Sequence, residues 1–250
     1  MYLLLNSFKV VVMAFTGEMR LLTKHGYESL ATFYKGHVDH KFSLLNSDGL
    51  HTFDHVCSSS DYSEIIKIRF CNNTYIRCSF DQKFVVKKDS SELLVSARDL
   101  TIGDALPFCQ SIANDPHVDV IREKLRTVLI RSDINIDDHL NLVNIKIPND
   151  VVYLDYFIID LLTVGVVSDV AIDTDITVLQ VKGNESVHNL FKIIQWEIHD
   201  IDFGSDYDSI IITSVDNDGS AVLYDIPQPR SFDYVIVNGV EARLSDASNN

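Results

Sequence analysis

The chain of 250 residues is short of the features that mark the simplest protein classes. Its four cysteines, Cys57, Cys71, Cys78 and Cys109, form no CxxC pair and have no histidine at metal-ligand spacing. That argues against a disulfide framework or a zinc site and for reduced, mostly buried thiols. With only ten glycines and five prolines it is neither fibrous nor low in complexity. No clean apolar run reaches the roughly 18 residues of a membrane span, because MYLLLNSFKVVVMAF and VVYLDYFIIDLLTVGVV both carry polar residues. Lys9 lies inside the first run and no small-residue cleavage site follows, so no secretory signal is expected and the cytoplasm is the expected compartment. Basic residues are scarce too: 21 Lys and Arg against 36 Asp and Glu leave a net charge of −15. Such a field repels phosphate backbones and makes nucleic acid an unfavourable partner. The densest positive cluster, Arg122, Lys124 and Arg126, falls on an expected helix and reads as a solvated face. His37 and His40 read as a surface pair, and neither a metal nor a cofactor is expected.

What is present is the composition of a folded domain, 46% hydrophobic and 23% charged, on a chain long enough to bury a real core. From about residue 9 to 105, short apolar runs are broken by the turn signals KHG, NSDG, CNN and KKD, which predicts many short strands. SEIIKIRF, TYIRCSF and KFVV are three of them, with Asn72 and Asn73 as a hairpin turn. Between 107 and 205 the texture changes. HVDVIREKLRTVLI, YLDYFIIDLLTVG and ESVHNLFKIIQW place apolar residues at helical spacings, the first starting at Asp115 and Pro116. VVSDVAIDTDITVLQVKG, between the last two, alternates and predicts two strands. The β texture returns at 209 with SIIITSV, a turn at DNDG, SAVLYDI, a turn at Pro227 and Pro229, and DYVIVNG. The expected fold is therefore mainly β: one all-β body built from both chain ends, interrupted by an α+β insertion on a loop, where insertions are best tolerated.

Three segments resemble, in order, the sequence blocks of inteins. The first is AFTGEMRLLTKHGYESL, where Glu18, Leu21, Leu22, Thr23 and Gly26 fall in the places of that family's opening block and Ala14 stands where a Cys or Ser nucleophile is expected. The second, TYIRCSFDQKFVVKKDSSELLVSARDLTIGDAL, resembles the block with a Thr-x-x-His motif. Ser79 takes the Thr place, Gln82 the His place, and Ala97, Leu100, Gly103 and Asp104 match the block's tail. The third, SIIITSVDNDGSAVLYDIPQPRSFDYVIVNG, matches at Tyr224, Asp225, Ile226, Tyr234, Asn238 and Gly239, with Phe232 in a His place. The ending SDASNN matches a minority Ala-Ser-Asn terminus at Ala247, Ser248 and Asn249, with Asn250 at the acceptor position. Each block alone is a weak motif, but three in family order at the two ends of a split β body are specific.

The resemblance implies the Hint (hedgehog/intein) fold, a horseshoe-like all-β domain from residues 14–106 and 206–249, with residues 1–13 as flanking sequence and 107–205 as the insertion. It implies splicing by intramolecular acyl transfer and Asn cyclisation, with flanking exteins in cis, or a split fragment, as partners. Such chemistry needs a nucleophile, a proton for the leaving amine and close positioning. Ala14 has no nucleophilic atom, and Gln82 donates hydrogen bonds but no proton. Asn250 offers no thiol or hydroxyl as acceptor, so the resemblance implies a blocked precursor. Ser7 is an alternative first residue, at the cost of the register of Glu18 and Gly26. The insertion resembles half of a LAGLIDADG homing endonuclease without that motif's acidic helix end, which implies a degenerate remnant. Without the resemblance, Ala14 is a strand start, Asp225 a turn carboxylate, Ser79 a surface hydroxyl and SDASNN a polar tail. A non-catalytic interaction domain and a cleavage-only autoprocessing domain are the rival functions.

Overall fold

The computed structural model describes residues 14–23, 26–35, 42–46, 49–53, 56–88, 91–109, 116–137, 140–148, 153–196, 208–226 and 233–244. The first part of the chain forms β1 (Phe15–Thr16), β2 (Arg20–Thr23), β3 (Gly26–Ser29), α1 (Leu30–Lys35), β4 (Phe42–Asn46) and β5 (Gly49–Phe53). It continues through β6 (Cys57–Phe70), β7 (Tyr75–Ser79), β8 (Lys83–Lys88), β9 (Ser91–Ser96), a 3-10 turn at Ala97–Asp99, and β10 (Ala105–Pro107). The middle forms α2 (Pro116–Leu129), β11 (Asp133–Asp137), β12 (Leu142–Pro148), α3 (Leu154–Thr163), β13 (Ser168–Ile172), β14 (Ile176–Val181) and α4 (Asn184–Ile194). Last come β15 (Ser209–Asp225), β16 (Tyr234–Val237) and β17 (Val240–Arg243).

The strands before and after the middle segment join in one 13-stranded sheet, so the architecture is mainly β and its body draws on both parts of the chain. Four of its strands close a ring: β1 pairs with both β7 and β15, β7 with β6, and β6 with β15, all antiparallel. From β15 the sheet continues through β10, β8, β17, β16, β2, β4 and β5. Alternation puts Leu21, Ile66, Ile68, Ile76, Phe84, Leu106, Ile212 and Val235 into its core. Each such side chain contributes about 1.5–3 kcal/mol by leaving water.

The middle segment has its own four-stranded antiparallel sheet in the order β11-β12-β14-β13. Val143, Ile145, Ile147, Leu179 and Val181 line its inner face, and Leu125, Leu129, Phe157, Leu161, Val187 and Leu190 from the three helices cover them. Helix α3 belongs to both cores. Phe157 and Leu161 point into the middle segment, while Ile159 and Leu162, with Val167 beyond them, pack in the β body. The helix ends in a Schellman motif, Val166 N–H donating to Leu161 C=O (2.9 Å) and Gly165 N–H to Leu162 C=O (3.0 Å). At the seam, Gly26 has φ +108°, and a Cβ there would lie 2.7 Å from Thr163 Cγ2. Only a glycine allows both that backbone conformation and that approach.

Several expectations change. SIIITSV and SAVLYDI are one strand of 17 residues, β15, and DNDG is a bulged stretch within it. Pairing to β6 continues past slips at Ile212/Ser214, Asn217/Ser220 and Val222/Tyr224, so a long partner strand overrides local turn chemistry. Likewise β6 runs for 14 residues, and α1 interrupts a region expected to be all strand. Strands β11 and β12 were not expected. The Asn72–Asn73 hairpin is present, with Asn73 at φ 62° and Asn73 N–H donating to Phe70 C=O. Of the cysteines only Cys78 is buried; Cys71 and Cys109 are half-buried and Cys57 is exposed, all four free, so "mostly buried" does not hold. Arg122, Lys124 and Arg126 lie on α2 facing Asp119, Asp160 and Glu123, a neutralised helix face. His37, His40, Asp115, Pro227 and Pro229 lie outside the described residues, and among those described no helix is long and apolar enough to cross a membrane.

Candidate functional site

Ala14 is fully buried between segments that are far away in sequence. Its N–H donates to Ser79 Oγ (3.4 Å), 65 residues on, and its C=O accepts from Ser79 N–H (2.8 Å). On the next residue, Phe15 pairs with Cys78 on β7 and with Tyr224 on β15, and Thr16 pairs with Leu223. Continuing that antiparallel register by one step places Ala14 opposite Asp225, which itself pairs with Cys57 of β6. The three blocks therefore meet because β1, only two residues long, is clasped between β7 and β15. Around Ala14 the packing is apolar, with Ile65 and Leu223 buried beside it.

Ser79 and Gln82 sit on the tight turn after β7. Gln82 N–H donates to Ser79 C=O (3.1 Å), Ala97 N–H to Gln82 C=O (2.7 Å) and Arg98 N–H to Phe80 C=O (3.1 Å). The block's tail thus fixes its head, and an Arg98–Asp81 ion pair ties the same strands at the surface. Further along, Asp104 accepts from Thr101 N–H (2.8 Å), and Gly103 N–H donates to Ile212 C=O (2.9 Å), joining the second block to the third. Gln82 is fully buried. Its Nε2 donates to Arg243 C=O (2.8 Å) and Lys83 C=O (3.1 Å), so the carboxamide at the His position faces the end of β17.

A second knot secures the opposite end of the first block. Asn238 and Gly239, both at positive φ, form the tight turn between β16 and β17, and a Cβ on Gly239 would lie 2.4 Å from the Phe108 ring. The Asn238 side chain accepts from Arg20 N–H (3.2 Å) and donates to Tyr75 C=O (2.7 Å), touching all three blocks at once. Nearby, Arg77 donates to Glu18 and to Asp218, each at 2.5 Å. The motif match identified Asn238 and Glu18 but not this bridging, which shows in the sequence only as a polar residue beside a glycine. Arg77 carries no motif signal.

No thiol near Ala14 stands ready as a nucleophile. Burial raises Cys78 above the ordinary thiol range, and partial desolvation, with Asp225 adding to it, raises the exposed Cys57. Burial and Glu241 push Cys109 up to about 11, and Cys71 is raised chiefly by burial. Thiols shifted in this direction hold little thiolate at neutral pH. A cleft of about 330 Å³ between the β body and α3, lined in part by Glu18, Arg20, Tyr75, Asp155 and Tyr156, includes none of Ala14, Ser79, Gln82 or Asp225. Arg20 stacks over Tyr156 there (4.8 Å). Among the described residues no group of His, Cys, Asp and Glu is placed to hold a metal. Ser7, Phe232, Ser248, Asn249 and Asn250 lie outside the described residues.

No protein-family model and no curated protein matches the chain. Among solved structures it is similar to a variant of the Ssp DnaB mini-intein, at 8% identity and a TM-score of 0.47 over 96% of this chain and 98% of that one. It is also similar to the Mvu transcription factor IIB mini-intein (10% identity, TM-score 0.45, 92% and 99% covered) and to the DnaB intein of Synechocystis (10%, 0.43, 93% and 99%).

Proposed function

We propose that the chain is an intein of the Hint fold whose splicing is blocked. The observation that carries this reading is the clasp on Ala14: its backbone is held by Ser79 from the second block and its strand is in register with Tyr224 from the third. Coincidental motifs have no reason to meet at one backbone position. The body, residues 14–106 and 206–249, is the splicing domain, and residues 1–13 are retained flanking sequence. Ser79 holds the peptide unit at the junction, and Asp225, one strand across, assists the middle steps. Asn249 is the cyclising residue. The block follows from chemistry: Ala14 supplies no attacking atom, its neighbouring thiols are raised away from ionisation, and Asn250 offers no thiol or hydroxyl as acceptor.

The test is restoration: Ala14→Cys together with Asn250→Cys or Asn250→Ser, a short C-terminal tag, and the masses of the products. A ligated product joining residues 1–13 to the tag is expected. Cleavage without ligation would favour a cleavage-only autoprocessing domain, and an unchanged precursor a non-catalytic interaction domain. The insertion, 107–205, repeats helix–strand–strand twice and closes with a helix, and we read it as a homing-endonuclease remnant without nuclease activity. Metal-dependent cutting of a plasmid that carries the uninterrupted host site would overturn that.

A further inference from the structure

The cleft between the β body and α3 takes no part in the proposed splicing site, since Ala14, Ser79, Gln82 and Asp225 all lie outside it. One wall comes from the start of β2 and of β7, the other from Asp155, Tyr156 and Ile159 of α3. At about 330 Å³ it has the size of a small-molecule site, and it lies at the join of two cores, where such sites are commonly found. Met19 and Ile159, both buried, give it an apolar lining.

Two opposite charges line this cleft without being paired. Arg20 is half-buried, its guanidinium stacked over the Tyr156 ring at 4.8 Å, and among the described residues that guanidinium donates to no carboxylate or carbonyl. Stacking occupies the face of the group and leaves its edge of N–H donors open, in the planar fork that suits a carboxylate. Asp155, exposed in the first turn of α3, likewise has no ion pair among the described residues. The other carboxylate of the cleft, Glu18, is taken by Arg77 at 2.5 Å. Burial raises the Tyr75 hydroxyl above its ordinary range, and the nearby Asp155 and Glu18 add to the shift, so it stays a neutral donor.

These groups select the charge of a ligand. A plain anion is drawn by Arg20 and repelled by Asp155, and a plain cation meets the reverse. The aromatic faces do not help a cation, because Lys67 already covers Tyr75 at 4.4 Å and Arg20 covers Tyr156. A molecule that carries both charges and an apolar group complements the whole cleft.

We propose that this cleft binds a free α-amino acid with an apolar side chain. Arg20 takes the carboxylate through its open edge, Asp155 takes the ammonium group, and Met19 and Ile159 receive the side chain. Because Arg20 is on β2 and Asp155 on α3, the bound amino acid fastens the insertion to the body. The site is independent of whether the chain splices.

The test titrates the chain as it stands with L-leucine, L-methionine and L-phenylalanine, followed by NMR shifts of the backbone amides and of Arg20 Nε–H. Saturable shifts centred on Arg20, Asp155 and Tyr156 are expected for at least one of the three below about 10 mM. No saturable shift from any of them, or shifts confined to another surface, would overturn the proposal. The best binder is then compared with the same molecule lacking its amino group and with the same molecule lacking its carboxylate. Each is expected to bind about tenfold more weakly, the loss of one charge-assisted contact. Asp155→Asn should weaken the amino acid about tenfold yet leave the amine-free acid bound as well as before or better, because a repelling charge is gone. Arg20→Gln should do the same in mirror image, sparing the carboxylate-free amine. A merely loosened fold weakens every ligand alike, so equal weakening of all three ligands by both variants would remove Arg20 and Asp155 from any binding role.

Discussion

In the insertion, neighbours in space are near neighbours in sequence: Asn144 and Gln180, side by side on the sheet, are 36 residues apart. In the β body, Arg20 and Asn238 are bonded across 218 residues, and Ala14 and Ser79 across 65. The insertion is a contiguous unit whose helices and strands close on one another within a single stretch of chain. The body is a composite that exists only when its two parts come together, so its contacts carry a larger loop-closure cost and form more slowly. Among the described residues the candidate site follows the same division, because Ala14, Ser79, Gln82 and Asp225 all lie in the composite part. A site assembled from distant segments is coupled to the folding of the whole body, whereas the insertion meets that body along α3 and at β13, where Val170 N–H donates to Cys71 C=O.

Helix α3 is therefore where the comparison can be broken. Leu161 and Leu162 are adjacent, both buried, and point into different cores. Truncating either to alanine is expected to cost about 2–5 kcal/mol. In denaturant titrations followed by hydrogen exchange, Leu161→Ala should loosen β12 and β14, and Leu162→Ala should loosen β2 and β16. Identical protection maps would show that the two cores unfold as one. Next in size is Gly26→Ala, which meets both the positive φ and Thr163 Cγ2 and is expected to cost about 1–3 kcal/mol in the same titration. Thr163→Ser removes that methyl, so in a double-mutant cycle part of the cost should return; strict additivity would mean that backbone strain alone is responsible. The smallest effect concerns charge. Arg77→Gln removes two partly exposed ion pairs, with Glu18 and Asp218, and should cost about 1 kcal/mol or less, shrinking as salt is added. A loss that survives high salt would assign Arg77 a packing role.

The same division explains what was legible in the sequence. Helices α2, α3 and α4 and strands β13 and β14 follow from periodicity, because local units write their burial into local patterns. Strand β11 was missed because its two isoleucines, Ile134 and Ile136, are a thin signal among three acidic and amide residues, although Val143, Ile145 and Ile147 do alternate in β12. In the body, periodicity predicted strands but misread β15, where Asp216, Asn217, Asp218 and Gly219 carry turn chemistry and yet run alongside β6. No local signal announces a partner more than a hundred residues away. The ordered blocks predicted that Ala14, Ser79 and Asp225 belong together; the structure bonds Ala14 to Ser79 and brings Asp225 one register step beyond the Phe15–Tyr224 pair. It was not legible that Gln82 faces Arg243, since the direction of a carboxamide depends on which carbonyls a distant strand brings to it.

The strand register between Phe15 and Tyr224 also has a consequence in time. On a ribosome adding about 5–20 residues per second, Ala14 emerges roughly ten to forty seconds before the strand that completes its surroundings. Until then Ser79 can reach it but Asp225 cannot, and the far anchor at Asn238 comes later still. On the proposed reading, a nascent chain carrying Ala14→Cys is expected to stay chemically quiet at that position until β15 has been made.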